Sequence, residues 1–308
     1  MLSRLFPPES LVMKTLGGRQ FWADVRFFRG WRVQRNVFTG HFRLLDARDH
    51  RHAFGSLETC CGHLDEMKKS RKLPPMAGKA VIAMHGILRS SKTFALMRPA
   101  LEKAGYTVVG FDYPSTRIEI GDAANDLKQV IQSLQGIEEI NFVVHSMGGL
   151  VTRAFLKEHG DSRVKRMVML GVPNRGAEMA DLLRKNYAFR LVYGPAGQQL
   201  VTDTNGVIPT LPIPDFEFAV VAGGRGSGAG FNPLIPGDDD LLVTVASTLL
   251  PGATDSMTIR LLHSFLPANA EVIDATVRFL QTGRLRKEGE RQPVPRETEE
   301  ERPNEVCR

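Results

Sequence analysis

The chain has 308 residues, enough for one large α/β domain with appendages or for two modest domains. Its 42% hydrophobic and 24% charged residues are ordinary globular usage. No run approaches the roughly 20 apolar residues of a membrane-spanning helix. The formal net charge of +6 is uneven, because residues 1–78 hold 14 Lys and Arg against 7 Asp and Glu, which leaves the remainder near neutral.

The opening stretch MLSRLFPPESLVMKTLGGRQ lacks the compact apolar run and small-residue cleavage site of a secretory signal, so a cytoplasmic location is predicted. Cys60 and Cys61 are neighbours and Cys307 lies in a polar tail, so no disulfide framework is expected, and no His/Cys cluster has zinc-ligand spacing. Residues 1–78 also carry both tryptophans, Trp22 and Trp31. A basic, aromatic-bearing segment suits a solvated face around a small core, or a weak association of residues 1–72 with an anionic membrane surface. No nucleic-acid partner is predicted.

In chain order, residues 20–55 read as short strands. Trp31-Arg-Val-Gln-Arg-Asn-Val-Phe alternates at period two, and Gly30 and Gly40 supply turns, which predicts a small antiparallel hairpin or meander. Residues 57–72 read as a helix, and Pro74-Pro75 marks a boundary. Beyond Lys79, short apolar runs alternate with helical periodicity. Strands are expected at 81–84, 107–111, 140–144, 164–170 and 216–222, and helices at 91–104, 122–135 and from the Ser146 region to about Lys157. Strands that are nearly continuous in apolar residues and alternate with helices predict a mostly parallel sheet covered on both faces. Three regions result: a basic extension over 1–78, an α/β domain over 79–281, and a charged, proline-bearing tail over 282–308 expected to be disordered. Gly223–Gly230 follows a strand but precedes Phe231-Asn-Pro-Leu-Ile-Pro, so it predicts a loop rather than a phosphate cradle.

The strongest chemical signal is Val143-Val-His-Ser146-Met-Gly-Gly-Leu-Val. A serine between a buried strand and a helix, followed by glycines, fits a nucleophile elbow, where close neighbours must be small for strand and helix to approach. Val144 stands where the consensus has glycine. Val81-Ile-Ala-Met-His85-Gly86-Ile87 places a loop after an early strand, where such a site takes one oxyanion donor, and the expected donors are the Ile87 and Met147 amides. His85 is expected to order that loop. After Ser146 only His159 and His263 follow, and His159 reads as the end of a helix, which leaves His263 as the base. Asp238, Asp239 and Asp240 are all candidates for the acid. Asp240 is preferred because it adjoins the apolar run Leu241-Leu-Val-Thr-Val, while Asp112 precedes the serine and is expected to hold loop structure.

These blocks resemble the α/β-hydrolase superfamily and its lipase/esterase-like branch. The resemblance extends to Leu170-Gly-Val-Pro-Asn-Arg-Gly-Ala and His263-Ser-Phe-Leu, covers roughly residues 79–281, and does not reach residues 1–72. It implies the α/β-hydrolase fold and ester hydrolysis through an acyl-enzyme on Ser146, with Asp240 and His263, without metal or organic cofactor. The substrate implied is a small-molecule ester or lipid. The segment 181–214 stands where this fold inserts a cap, and its Tyr187, Phe189, Leu191, Val192 and Tyr193 suit either an apolar lid or plain packing. An acyltransferase or thioesterase using the same triad, and a non-catalytic scaffold of the same fold, are the rival readings.

Overall fold

Almost unbroken apolar runs form the strands of a six-stranded, wholly parallel sheet in a computed structural model, which describes residues 13–15 and 19–296. The chain first builds a separate five-stranded antiparallel sheet from β1 (Met13–Lys14), β2 (Trp22–Phe28), β3 (Trp31–Asn36), β4 (Phe42–Leu45) and β5 (His50–Gly55), in the order β1-β5-β4-β3-β2. Phe28 faces Trp31 across the two-residue loop Arg29-Gly30, and both loop residues have positive φ, the twist that tight hairpins favour. Helix α1 (Leu57–Ser70) follows, its first turn closed by the Ser56 hydroxyl accepting the Thr59 N–H at 3.1 Å. Val25, Trp31, Val33, Leu44, Ala53, Cys60 and Leu64 make the small core between this sheet and α1.

The parallel sheet is assembled from β6 (Gly78–Met84), β7 (Tyr106–Phe111), β8 (Ile137–His145), β9 (Val164–Leu170), β10 (Glu217–Gly224) and β11 (Asp255–Arg260), in the order β11-β10-β9-β8-β6-β7. Its register aligns Met84 with Val144, His145 with Leu170 and Leu170 with Val221, so these four strands end at one level. Ligand sites of open parallel sheets form beyond that C-terminal edge. Between strands lie α2 (Arg98–Lys103), α3 (Ile120–Ser133), α4 (Met147–Glu158), α5 (Glu178–Leu183), α6 (Tyr187–Gln198) and α7 (Val245–Thr248), and α8 (Ala270–Thr282) closes the domain. The stripe Ala123, Leu127, Val130 and Ile131 buries α3 in the main core, as its periodicity requires.

The two sheets meet along β2. The Asp24 N–H donates to the Asp112 carbonyl at 2.8 Å, the Phe27 N–H donates to Ser133 Oγ at 2.9 Å, and Arg35 pairs with Asp126 at 2.8 Å. The tail differs from its expected disorder as far as residue 296. Gly283 caps α8 in the left-handed region, and the buried Asp255 carboxylate then accepts the Leu285 and Gln292 N–H groups and Arg286. Val294 exchanges backbone hydrogen bonds with Gly252 and Ala253. One buried carboxylate and a short backbone pairing order a segment whose composition offers little apolar surface. Residues 297–308 lie outside the described residues.

Candidate active site

Ser146 connects β8 to α4 with φ 54° and ψ −130°, a conformation that costs a non-glycine residue about 1–3 kcal/mol. The surroundings hold it there. Its N–H donates to the Leu170 carbonyl at 3.0 Å, and its carbonyl accepts from Gly149 at 3.0 Å. A Cβ on Gly148 would lie 2.6 Å from the Met84 carbonyl oxygen, and one on Gly149 would lie 2.4 Å from a Val172 methyl. Both positions therefore require glycine. Val144, in place of the consensus glycine, is fully buried in the main core, so its side chain finds room.

The loop after β6 lies directly on this serine. A Cβ on Gly86 would stand 2.8 Å from Ser146 Cβ and 3.3 Å from its Oγ. Met147 follows the serine directly and Ile87 follows Gly86, the residue packed against it, and neither amide has a protein acceptor among the described residues. The α4 N-terminus adds its positive dipole end at the same place. Leu88 has φ 59° and passes its N–H to Ser115 Oγ at 3.0 Å. His85 stacks on Tyr113 at 4.4 Å, holds the Gly86 carbonyl at 2.8 Å through Nδ1, and accepts from the Tyr113 N–H through Nε2 at 3.4 Å. One ring nitrogen is engaged within the loop and the other by the chain after β7, so His85 ties the two together.

His263 follows β11 and has only 5% of its surface exposed. Its Nδ1 lies 2.6 Å from Asp240 Oδ2, and its backbone N–H donates to the Asp240 carbonyl at 2.9 Å. The other Asp240 oxygen accepts the N–H groups of Leu242 and Val243, at 3.1 and 2.9 Å. The carboxyl group is thus fully buried yet satisfied, and it occupies the Nδ1 side of the ring, which orients the imidazole. Gly171 admits the ring, since a Cβ there would lie 3.1 Å from His263 Nδ1, and Gly223 admits the acid, with a Cβ 2.8 Å from Asp240 Cβ.

The three adjacent aspartates separate by partner. Asp238 accepts the N–H groups of Arg225 and Gly226, and Asp239 those of Asn232 and Leu241. Both close the loop after β10; only Asp240 meets His263. The apolar run behind Asp240 forms a tight turn rather than a strand, with Asp239 bridged to Thr244. His159 lies at the end of α4, bonded to Asn125 Oδ1 at 2.8 Å. Asp112 serves loop and interface contacts, accepting from Ser91 and pairing with Arg32.

Sequence reasoning missed three supports. His145 Nε2 lies 3.0 Å from the His263 carbonyl, while burial and then the neighbouring His263 hold the His145 pKa well below the usual range. A neutral ring that donates through Nε2 fits that contact. Arg89 reaches from the loop after β6 to Ser264 Oγ at 2.8 Å. Gln20, from the N-terminal region, accepts through Oε1 from Ser115 Oγ at 3.2 Å and from the Thr116 N–H at 3.1 Å, which links that region to Leu88 through Ser115. None of these pairings is local in sequence, so no motif announces them. Among the described residues no cluster could hold a metal ion, and no helix is long and apolar enough to cross a membrane.

Fold and site define a class. Residues 79–206 match the family model described as the α/β hydrolase fold. The propeptide form of the Bacillus licheniformis lipase BlEst2 superposes with a TM-score of 0.53 at 22% identity, over 73% of this chain and 53% of that one. Phospholipase PlaB from Legionella pneumophila gives 0.50 at 15% identity, over 67% and 57%. This chain therefore spans a little more than half the length of either. It is an α/β-hydrolase-fold protein carrying an additional N-terminal antiparallel sheet.

Proposed function

We propose that the protein is a serine hydrolase of carboxylic esters, acting through an acyl-enzyme on Ser146. The observation that carries this reading is the buried Asp240–His263 pair, 2.6 Å apart, beside a serine in strained elbow geometry. As Ser146 Oγ attacks the ester carbon, its proton passes to His263 Nε2 and the carbonyl electron pair moves onto oxygen, where the Ile87 and Met147 amides receive it. The C–O bond to the alcohol then breaks, and His263 returns the proton to the leaving oxygen. Water repeats the sequence on the acyl-enzyme, releasing the acid and restoring the serine. Asp240 holds the imidazole tautomer throughout.

An apolar acyl group suits the surroundings. Leu88, Leu241, Leu242 and Phe265 stand exposed within two residues of Ile87, Asp240 or His263. The cap helix α6 kinks at Gly194, and a Cβ on its Gly197 would lie 3.5 Å from Ile87 Cδ1, so the cap sits over the oxyanion loop. Its Phe189, Ala196 and Gly197 pack inward while Tyr187 and Leu191 are exposed, so one segment serves both packing and an apolar cover. A lipase and a phospholipase among the relatives of this fold accord with a lipid or small-molecule ester. The free thiols of Cys60 and Cys61 suit a reducing, cytoplasmic setting, which cell fractionation checks. Association with anionic membranes would rest on exposed cations such as Lys69, Arg71 and Lys72, and flotation with anionic vesicles at low and high salt tests it.

Fluorophosphonate labelling tests the main reading. Ser146→Ala is expected to abolish labelling and to lower ester turnover by on the order of 10⁴- to 10⁶-fold while leaving the fold intact. Label recovered on another serine would overturn it, and transfer to added alcohol in excess of hydrolysis would reassign the reaction to acyl transfer on the same residue. Each further methylene of the acyl chain should improve discrimination up to about fourfold, or about 0.8 kcal/mol, until the pocket is full. Fastest turnover on acetate esters would exclude the apolar pocket.

A further inference from the structure

Between the N-terminal sheet and the first loops of the hydrolase domain lies a polar cavity of about 240 Å³, outside the catalytic residues. Four cations line it: Lys14, Arg32, Arg43 and Lys92. Two carboxylates face them. Asp112 pairs with Arg32 at 2.7 Å, and Asp49 pairs with Arg32 and, at 2.8 Å, with Lys92. That leaves Arg43 and Lys14 with no carboxylate in ion-pair range among the described residues.

Arg43 is the informative member, because it is only 8% exposed. Its Nε and Nη2 both donate to Gln34 Oε1, at 2.9 and 2.7 Å, and its guanidinium stacks over the Trp22 ring at 4.0 Å. A neutral amide oxygen and an aromatic face thus hold a buried cation whose Nη1 has no protein partner among the described residues. Asp24 and Asp49 act on it only from beyond ion-pair range, and burying a charge without a direct ion pair costs several kcal/mol. Burial, followed by the repulsion of Arg32, pushes the Arg43 pKa down to about 10. Asp24 stands behind Gln34, donor to its Oδ1 at 2.8 Å. Even with Asp24 fully ionised the set retains a net positive charge, and burial pushes the Asp24 pKa up to about 7.

We propose that this cavity binds a phosphoryl dianion, as inorganic phosphate or as the phosphomonoester end of a small molecule, with Arg43 and Lys14 as its principal ligands. The two cations without carboxylate partners match a dianion better than a monovalent carboxylate, and the guanidinium edge matches phosphate oxygens. The volume lies below the roughly 300–1,000 Å³ typical of pockets for drug-sized ligands, so the group that enters is small. Arg43 and Lys14 belong to the N-terminal sheet and Lys92 to the hydrolase domain, so a bound anion would neutralise positive charge gathered at the junction of the two. This inference is independent of the ester chemistry.

Calorimetric titration and thermal unfolding of the full chain with inorganic phosphate and glycerol 3-phosphate, against chloride and acetate at matched ionic strength, test the proposal. Saturable binding with a raised Tm is expected for the two phosphoryl compounds and not for acetate. Arg43→Gln should weaken it roughly tenfold or more, the loss expected for a charge-assisted hydrogen bond. Lys14→Gln, at an exposed position, guards against misfolding as the explanation and should weaken binding by a smaller factor. A third arm uses phosphatidic acid vesicles. Binding there alone, lost in Arg43→Gln, would assign the phosphoryl group to a lipid headgroup. No saturable effect in any arm, or equal binding by both variants and the native chain, would overturn the site.

Discussion

In the six-stranded parallel sheet the central strands bury apolar side chains along most of their length, and the polar groups gather beyond the C-terminal ends, around Ser146. The five-stranded antiparallel sheet places charged and polar groups within the strands themselves: Asp24 on β2, Arg32 and Gln34 on β3, Arg43 on β4. The first arrangement gives a rigid scaffold that can hold one residue in a strained backbone and aim three side chains at a point. The second uses its buried polar groups at an interface, because the face of β2 and β3 opposite α1 meets Asp112 and Asp126 beside the apolar contact that Phe27 makes with the main core. Part of the basic character of residues 1–78 is accordingly turned inward, since Arg32 and Arg35 are tied to carboxylates and Arg43 is buried, while Arg26, Arg29, Arg48, Lys69, Arg71 and Lys72 stay exposed. The two regions still share one loop, through Gln20, Ser115 and Leu88.

The largest expected effect lies wholly in the parallel-sheet region. Asp240→Asn keeps the shape of the site but can present an amide N–H to His263 Nδ1, which favours the wrong tautomer. A fall in kcat of about 10⁴-fold is expected, with the melting temperature little changed. Activity that survived would show that Asp240 is not the acid.

Next comes the coupling between regions. Gln20→Ala removes the acceptor that steadies Ser115 and, through it, Leu88 beside the Ile87 amide. Displacing an oxyanion donor should lower kcat roughly 10- to 100-fold with KM changed much less. Gln20→Glu, which keeps an acceptor oxygen, should recover part of the loss. Unchanged kcat in Gln20→Ala would separate the two sheets functionally and leave the N-terminal one a structural extension.

The smallest effect is one of stability, confined to the antiparallel region. Burial, opposed by Arg32 and reinforced by the Asp112 charge, raises the Asp24 pKa from 3.8 to about 7. Between those values the folded state holds more protons than the unfolded one, so this group's contribution is complete below about pH 4 and is lost as pH rises through 7. Its slope cannot exceed about 1.4 kcal/mol per pH unit for one proton. Urea unfolding from pH 5 to pH 8 should therefore show a shallower decline in Asp24→Asn than in the native chain. Parallel curves would mean that Asp24 stays ionised beside Arg32.

The strand–Ser146–helix turn, the glycine loop packed against it and the position of His263 after the last strand were legible from the sequence because each depends on local steric rules: Gly148 and Gly149 where helix meets strand, and Gly86 against the serine. The parallel sheet and the small antiparallel sheet were legible for the same reason, since side-chain period follows backbone geometry. The partner of His263 was only narrowed, with Asp240 preferred over Asp238 and Asp239. Three consecutive aspartates have one local propensity, and only the return of β10 and β11 to adjacent positions brings Asp240 to the ring while its neighbours close a loop. The order of residues 283–296 was hidden likewise, since it rests on one buried carboxylate, Asp255, rather than on apolar composition. Nor could the sequence tell an outward cation from an inward one. Lys69 and Arg43 carry the same charge, and the difference between a solvated surface and a buried guanidinium without a direct ion pair among the described residues arises from chain segments that meet only after folding, because electrostatic environment is a property of tertiary contacts rather than of the residue.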